Sequence, residues 1–287
     1  MVEAPKNIVA SVSRRLLNHA NKIGADPNLI LLWYALERLL YRLSVSPHAE
    51  WFVLKGAMLF RLWGGDDFRA TRDLDLLSFL SSERSIIRDV FSGLCMQEVP
   101  DDGMQFAPDS VLVTEIREHQ EYGGLRVKLN GRLGNARVPL QVDIGFGDAI
   151  TPAAVAASFP TLLEMPAPKI GAYPKETVIA EKFEAIATLG ATNSRVKDFY
   201  AIWTLSRRYQ FDPAVLGSSI RATFQRRGTL LPVRPPIGLT AAFANDPAHQ
   251  SQWRAFVNRN LRQPQLQDDF SRVVGDVAEF VMQALRK

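Results

Sequence analysis

The sequence contains very little cysteine and histidine. Cys95 is the only cysteine among 287 residues, and there are four histidines. A single cysteine excludes an intrachain disulfide, and four scattered histidines do not provide the clustered ligands of a zinc site. We expect Cys95 to be an ordinary buried thiol in a protein that works in a reducing compartment.

The sequence also lacks a long uninterrupted apolar run. Its most apolar stretch, residues 29–43, is broken by Glu37, Arg38 and Arg42, which makes it too polar to span a bilayer. Residues 1–17 lack the apolar core and small-residue cleavage site of a secretory signal. These features, with 47% hydrophobic residues, predict a globular cytoplasmic protein that does not bind a membrane.

Neither sign of charge dominates, since 34 Lys and Arg stand against 30 Asp and Glu. The cations are nevertheless unevenly distributed, because residues 195–234 hold eight of them against only Asp198 and Asp212. Such a region attracts a polyanion such as RNA, but an ordinary solvated basic face explains the same cluster. The positions expected to contact nucleic acid are Lys197, Arg207, Arg208, Arg226 and Arg227.

The first half of the chain has the patterns of an α+β domain. Amphipathic periodicity predicts helices over residues 6–23, 27–43 and 81–94. Short apolar or alternating runs predict strands over residues 51–54, 71–77, 125–129 and 138–145. The last two should form a hairpin, because the turn-forming residues 130–135 lie between them.

The second half of the chain is predicted to be mostly helical. Five prolines between residues 152 and 174 mark a connecting region, and helical patterns follow it. We therefore place a boundary near residue 150. It separates a domain over 1–150, a mixed sheet with flanking helices, from a helical domain over 151–287.

A pair of acidic residues is the first candidate for chemistry. Asp73 and Asp75 lie two positions apart in a predicted strand and should project on the same side of it. Adjacent carboxylates repel each other unless a cation lies between them, and Mg²⁺ prefers such oxygen ligands. Taken alone, the pair is a weak signal that a solvated strand face also explains.

A third carboxylate strengthens this interpretation. Asp143 alternates with Val142 and Ile144 and could join the pair from a neighbouring strand. Three carboxylates can hold the two metal ions that nucleotidyl transfer uses. The alternative for Asp143 is an acid at the edge of a sheet, near a turn.

Gly56 provides a possible phosphate contact. It lies between a predicted strand and the helix that begins at Ala57, where a backbone without a Cβ lets phosphate approach the N–H groups. The alternative is an ordinary tight turn. Arg69 and Arg72 flank the paired acids and could bind phosphate or offset the acidic charge.

Lys182 falls within the apolar stripe of the helix predicted over residues 174–189. A lysine in such a stripe must extend to solvent, form an ion pair or meet an anionic ligand. Triphosphate binding and a structural salt bridge therefore both remain open.

Asp198 falls in the first turn of the next predicted helix, with Asn193 and Ser194 as its cap. The helix dipole favours an acid there without any functional role. Arg195 and Lys197 beside it could bind phosphate or nucleic acid.

In order and spacing, these residues resemble the AbiEii/AbiGii toxin family of nucleotidyltransferases, within the DNA polymerase β-like superfamily. The resemblance covers about residues 50–205. The matching segments are Phe52-Val53-Leu54-Lys55-Gly56-Ala57-Met58-Leu59, Arg69-Ala70-Thr71-Arg72-Asp73-Leu74-Asp75-Leu76, Gln141-Val142-Asp143-Ile144, Glu181-Lys182 and Arg195-Val196-Lys197-Asp198-Phe199-Tyr200.

The resemblance implies a mixed sheet carrying Asp73 and Asp75 as metal ligands, and a helical domain that contributes Lys182 and Asp198 to the active site. Members of the family are toxins of toxin–antitoxin and phage-defence systems, and some add nucleotides to the acceptor end of tRNA. The family usually has Ser or Thr where this chain has Ala57. Its third carboxylate, here Asp143, is less uniform than the first pair.

Three functions are therefore considered. The first is Mg²⁺-dependent transfer of a nucleoside monophosphate from a nucleoside triphosphate (NTP) to RNA, with tRNA as the expected acceptor and pyrophosphate as the product. Gly56, Ala57, Arg72, Lys182 and Arg195 would bind the nucleotide, and a cognate antitoxin is expected. The second transfers to a protein hydroxyl or a small molecule. The third is an inactive binding module.

Overall fold

The structure, a computed structural model, describes residues 7–64, 71–116, 123–260 and 269–286. Its described residues form two compact units. The first contains residues 7–64, 71–147 and 156–172, and the second contains residues 148–155 and the described residues after 172. The first unit thus ends close to residue 150, but residues 156–172 return to it, so a single boundary does not describe the division. Arg69 lies outside the described residues.

Four helices belong to the first unit: α1 (Ile8–Ile23), α2 (Pro27–Ser44), α3 (Leu59–Leu62) and α4 (Arg84–Met96). Helix α2 begins where the sequence provides both a cap and a proline. The Asp26 carboxylate accepts a hydrogen bond from the Asn28 N–H at 2.9 Å, and Pro27 follows the cap. The helix expected directly after Gly56 is shorter than predicted, because a 3₁₀ turn over Gly56–Met58 precedes the four residues of α3.

The strands form one mixed sheet in the order β3-β5-β6-β2-β1-β8-β7, with β4 paired to β5. Their bounds are β1 (Phe52–Lys55), β2 (Leu74–Ser78), β3 (Met104–Phe106), β4 (Leu112–Ile116), β5 (Gly124–Leu133), β6 (Ala136–Phe146), β7 (Val155–Ser158) and β8 (Lys169–Ala172). The predicted hairpin is present as β5 and β6. Both strands are longer than the predicted strands over residues 125–129 and 138–145.

Alternation along the central strands separates an apolar face from a polar one. Leu54, Leu76, Val142 and Val127 are each no more than 1% exposed and belong to the core of this unit. Alternating with these residues are Lys55, Asp75, Asp143 and Arg126, which are polar and partly exposed, whereas Val53 and Leu77 on the same side are buried. The apolar face excludes water, and the opposite face remains available for chemistry.

Buried charges tie other segments of the first unit to α2. Arg42 donates to the Asp102 carboxylate at 2.7 Å, and Glu37 accepts the Leu162 N–H at the same distance. Glu37 and Arg38 are 0% exposed and form an ion pair at 2.8 Å. The charges that interrupt the apolar stretch 29–43 are therefore structural.

The second unit is built from helices α5 (Lys175–Leu189), α6 (Val196–Arg208), α7 (Pro213–Arg226), α8 (Ala241–Ala244), α9 (Pro247–Asn260) and α10 (Phe270–Leu285). Helix α5 packs against α6 and α7, and α10 packs against the same two helices. Aromatic side chains fill the core, with Phe199 stacked on Phe243 at 5.6 Å and edge-on to Phe270. The fold is thus α+β, with a mixed sheet, flanking helices and a helical C-terminal part, as predicted.

None of the helices in the described part of the chain combines the length and apolarity needed to cross a bilayer.

Candidate active site

Four charged residues form a row across the polar face of the sheet. The register places Lys55 of β1 opposite Asp75 of β2, Asp75 opposite Asp143 of β6, and Asp143 opposite Arg126 of β5. Residues directly opposite each other on adjacent strands point to the same face. The row therefore runs positive, negative, negative, positive, and its two carboxylates lie side by side.

Asp143 is held by a bidentate ion pair. Arg126 donates from Nε to Oδ1 at 2.8 Å and from Nη2 to Oδ2 at 2.7 Å, so that both carboxylate oxygens are engaged. The side chains are 36% and 21% exposed, respectively, so the pair lies at the protein surface. Fork-to-carboxylate geometry of this kind fixes direction as well as distance. The sequence analysis did not identify Arg126.

Asp75 lies in a less favourable electrostatic environment. Desolvation raises the pKa of Asp75 to about 6, and the nearby charges of Asp143 and Asp73 act in the same direction. Lys55 and a hydrogen bond from the Ala57 N–H lower it only in part. The protein thus holds an acid whose ionised form is costly unless more positive charge is supplied.

Gly56 lies against the Asp75 carboxylate. Its φ is +71°, and an added Cβ would fall 1.9 Å from Asp75 Oδ2. A side chain at position 56 would therefore be strained and would displace the acid. The close approach that the sequence suggested for phosphate is made here by Asp75, and Ala57 contributes its N–H to the same carboxylate.

Asp73 immediately precedes β2 and does not belong to it. The Thr71 hydroxyl donates to the Asp73 carbonyl at 3.1 Å, and the Trp33 indole N–H donates to the Thr71 carbonyl at 2.7 Å. These hydrogen bonds hold the segment that directly precedes β2. Arg72, which directly precedes Asp73, has an exposed side chain.

Asp73 and Asp75 are two residues apart and Asp143 lies opposite Asp75, but the three carboxylates do not form a ready ligand cage. Within residues 7–64, 71–116, 123–260 and 269–286, no group of three His, Cys, Asp or Glu side chains is arranged to hold a metal ion. The contacts explain why, since Asp75 is turned towards Gly56 and Asp143 towards Arg126. The donor chemistry is nevertheless that of a Mg²⁺ site, three carboxylates at the start and on the polar face of adjacent strands.

A second ionic cluster lies within the helical unit. Lys182 of α5 donates to Asp198 Oδ1 at 2.5 Å, and Arg195 Nε lies 2.8 Å from Asp198 Oδ2. Asp198 is 0% exposed, Lys182 is 20% exposed and Arg195 is 42% exposed. Burial alone would raise the pKa of Asp198, but the charges of Lys182 and Arg195 outweigh it and hold that pKa below its ordinary value.

The turn before α6 explains how these residues meet. The Asn193 side-chain oxygen accepts the Arg195 N–H at 2.8 Å, which forms a turn just before the helix. The N-cap of α6 is Arg195 and makes no side-chain cap hydrogen bond, so the cap expected from Asn193 and Ser194 is not formed. Asp198 lies in the first turn of α6, as predicted. The ion pair that the sequence left as one alternative for Lys182 exists, and triphosphate binding by Lys182 stays a prediction.

Four of the five residues predicted to contact nucleic acid are exposed: Lys197, Arg207, Arg208 and Arg226. Arg207 also forms an ion pair with Asp276 at 2.6 Å and lies over the Trp203 ring. The fifth, Arg227, is different. Its side chain is 16% exposed and lies within 3.4 Å of three carboxylates, those of Asp148, Glu181 and Glu184.

Arg227 therefore serves the packing of the helical unit. Glu184 is 1% exposed and also accepts hydrogen bonds from the Thr188 and Thr229 hydroxyls at 2.7 Å. Burial alone would lower the pKa of Arg227, but the surrounding carboxylates raise it above its ordinary value. A guanidinium surrounded by buried acids has a structural role of its own, and nucleic-acid binding by Arg227 stays a prediction.

Two crystal structures of Helicobacter pylori proteins share the fold, each over 91% of this chain and at 16% identity. One is JHP933, with a TM-score of 0.53 over 94% of its own chain. The other is described as a candidate nucleotidyltransferase and has a TM-score of 0.52 over 97% of its own chain. At this identity the likeness establishes the fold alone. No curated protein sequence matches this chain significantly.

The sequence profile of one protein family extends over residues 38–276, which is most of the chain. It describes the nucleotidyl transferase AbiEii toxin of type IV toxin–antitoxin systems. The matched range includes the charged row on the sheet and the Lys182–Asp198 pair. The chain therefore belongs to the AbiEii family of nucleotidyltransferase toxins.

Proposed function

We propose that the protein transfers a nucleoside monophosphate from an NTP to RNA in a Mg²⁺-dependent reaction, with the acceptor end of tRNA as the expected substrate. The acceptor hydroxyl forms a bond to the α-phosphorus, the bond from that phosphorus to the β-phosphate oxygen breaks, and pyrophosphate leaves. The observation that carries the proposal is the placement of Asp75 opposite Asp143, with Asp73 two residues before Asp75.

Asp73, Asp75 and Asp143 are proposed as the Mg²⁺ ligands. When bound, the ion would neutralise the triphosphate and stabilise the charge that develops on the leaving pyrophosphate. Burial raises the pKa of Asp75, and the charges of Asp143 and Asp73 add to this, so a bound cation would favour its ionised form. Their side chains would have to turn from their present partners to share an ion.

Asp143 has a second possible role. Arg126 fixes the direction of its carboxylate, and a directed carboxylate can accept the proton of an acceptor hydroxyl. Asp143 is therefore proposed either to complete the metal site or to help deprotonate the acceptor.

Lys182 is proposed to bind the triphosphate, with Asp198 holding its ammonium group in place. One N–H of Lys182 is used by Asp198, and an ammonium group has three, so further donors remain for phosphate. Gly56, Ala57, Arg72 and Arg195 are the remaining proposed nucleotide contacts. A cognate antitoxin is the expected partner, because the family belongs to type IV toxin–antitoxin systems.

The acceptor is assigned to RNA because of the exposed cations of the helical unit. Lys197, Arg207, Arg208 and Arg226 are all exposed. Cations of this kind give phosphate backbones a salt-dependent binding surface. A small-molecule or protein hydroxyl acceptor does not need one.

The test uses total tRNA, Mg²⁺ and each NTP in turn, labelled either on the α- or on the γ-phosphate. The α-label should enter RNA and the γ-label should appear in pyrophosphate. Asp75→Ala should abolish labelling, whereas Asp109→Ala, which removes an exposed carboxylate from the same unit, should not. Entry of the γ-label into RNA, or full activity of Asp75→Ala, would refute the proposal.

A further inference from the structure

The ion pair between Arg126 and Asp143 conflicts with metal binding at the same carboxylate. Both oxygens of Asp143 accept a hydrogen bond from the guanidinium, at 2.7 and 2.8 Å. A divalent cation on this carboxylate would lie within a few ångströms of the Arg126 charge. Two cations at that separation repel each other strongly near a protein surface.

The other cation of the row, Lys55, also opposes the binding of a metal ion. Lys55 lies opposite Asp75 at the other end, so the two carboxylates already have two cations beside them. The charges of Lys55 and Arg126 thus equal in number those of Asp75 and Asp143, and Asp73, just before β2, adds one further negative charge. Binding of a divalent ion would leave an excess of positive charge unless one of the side-chain cations moves away.

Arg126 is the cation that can move. It reaches Asp143 from β5, its side chain is 36% exposed, and solvent can therefore receive it when it leaves. The backbone of β5 need not change, because the strand is paired with β6 over nine residues from Leu125 to Leu133.

We propose that Arg126 competes with a divalent cation for Asp143, and that Asp143 becomes a metal ligand only when the guanidinium releases it. This inference rests on the proposed function, because it assumes that the row binds metal. Arg126 is then a positioning residue. It holds Asp143 in the metal-free protein and raises the metal concentration at which the site fills.

Lys128 offers a matched control on the same strand. It lies two residues after Arg126, on the same face of β5, but opposite Gln141 and not opposite an acid. Arg126→Gln and Lys128→Gln each remove one positive charge from this face. Only the first removes a partner of Asp143.

The experiment titrates each protein with Mn²⁺ and follows the free ion by electron paramagnetic resonance, without any nucleotide. Arg126→Gln should bind Mn²⁺ about tenfold more tightly than the unaltered protein, a change of about 1.4 kcal/mol. Lys128→Gln should change the affinity by less than about twofold, since it removes only distant, screened charge. Arg126→Lys keeps the positive charge but loses the pair of N–H groups that binds both carboxylate oxygens. Its Mn²⁺ affinity should lie between those of Arg126→Gln and Lys128→Gln.

A double-mutant cycle tests whether Arg126 changes the Mn²⁺ affinity through Asp143. In an Asp143→Asn background, Arg126→Gln should alter Mn²⁺ affinity by less than about twofold, because the contested carboxylate is gone. Weaker binding by Arg126→Gln would overturn the inference and show that the guanidinium supports the ligand. Equal effects of Arg126→Gln and Lys128→Gln would also overturn it.

An incorrect proposed function would give a different experimental result from an incorrect inference. If Asp75→Ala binds Mn²⁺ as well as the unaltered protein does, the row is not the metal site and the function is wrong. If Asp75→Ala loses binding but Arg126→Gln behaves like Lys128→Gln, only the inference is wrong. Circular dichroism of each variant establishes that it is folded before titration.

Discussion

Asp75 lies directly opposite Asp143 on two adjacent parallel strands, with Lys55 and Arg126 as the outer neighbours of the pair. Like charges in directly opposed positions destabilise a sheet. The fold therefore holds these two acids in an arrangement that their mutual repulsion makes unfavourable. Such costs are typical of functional sites and can be measured.

Asp75→Asn should stabilise the metal-free protein. The folded-state pKa of Asp75 is about 6, above its ordinary value of 3.8, so the fold favours the protonated form. The contribution of Asp75 to stability is therefore present below pH 4 and is lost as the pH rises through 6. Urea unfolding in EDTA near pH 7.5 should show a gain of about 1 kcal/mol for Asp75→Asn, shrinking towards pH 4.

Asp143→Asn is the contrasting control for this measurement, because it removes the bidentate ion pair with Arg126. It should not stabilise the protein. A loss of stability in Asp75→Asn at pH 7.5 would show that the carboxylate is favourably placed without metal.

Asp198→Asn should destabilise the helical unit. Asp198 is fully buried and its pKa is held below the ordinary value, so its contribution is present above pH 4 and is lost only at still lower pH. We expect a loss of about 2 kcal/mol in urea unfolding, equal at pH 5 and pH 7, since Lys182 loses its charged partner. A difference that shrinks between pH 7 and pH 5 would contradict the assignment.

Gly56→Ala should damage both stability and metal binding. The new Cβ would collide with the Asp75 carboxylate, and the backbone is left-handed at this residue. Gly64 has a similar φ of +75° with no atom within 4 Å of an added Cβ, so Gly64→Ala isolates the backbone strain. We expect about 1 kcal/mol of destabilisation for Gly64→Ala and roughly 3 kcal/mol for Gly56→Ala by urea unfolding.

In an Asp75→Ala background the contacts with the carboxylate are removed, but the Cβ of residue 75 remains 2.6 Å from the added Cβ. Gly56→Ala should then cost less than it does in the unaltered protein, but still more than Gly64→Ala. If the two glycine variants are equally destabilising in the unaltered protein, the contact with Asp75 is not what requires glycine.

Arg227→Ala should destabilise the protein, whereas Arg226→Ala should not. Arg227 lies among three carboxylates, including the buried Glu184, and its neighbour Arg226 is exposed. Removing the guanidinium leaves a buried acid less well compensated, at a cost of about 2 kcal/mol. Thermal unfolding of the two variants compares them directly. Equal melting temperatures would contradict a structural role for Arg227.

Charge reversal at Arg208 and Arg226 tests the RNA assignment. Both side chains are exposed, and Glu at both positions should lower RNA labelling and reduce its dependence on salt. Arg132 and Arg137 are exposed on the β5–β6 hairpin and provide a control with the same change of charge. If both double variants lower labelling equally, the effect reflects net charge and not a binding surface.

Much of the fold could be predicted because strong periodicity and clear boundary signals coincide. Asp26 and Pro27 fix the start of α2, and the buried strand around Leu54 precedes a glycine with positive φ. The short strands β3, β4, β7 and β8 were missed, because short segments such as Val155–Ser158 carry too little alternation to be distinguished from a loop. Their place in the sheet depends on tertiary contacts.

The acids of the candidate site were found because they are few and regularly spaced, but their counter-charges were not. The predicted turn over residues 130–135 was too wide. The observed turn contains only Gly134 and Asn135, so Leu133 pairs with Ala136, and this register brings Arg126 opposite Asp143. Recognising the two-residue turn would have identified the ion pair from the sequence alone.

That turn gives the hairpin a constraint of length as well as composition. It lies about 26 Å along β5 from Arg126, counted as eight residues at about 3.3 Å each. Inserting or deleting one residue there would shift the register by one and turn Arg126 away from the acids, although every charged residue remained in the chain. A homologous sequence that keeps the acids should therefore have the Arg126–Asp143 ion pair only if its hairpin has the same number of residues between the two positions.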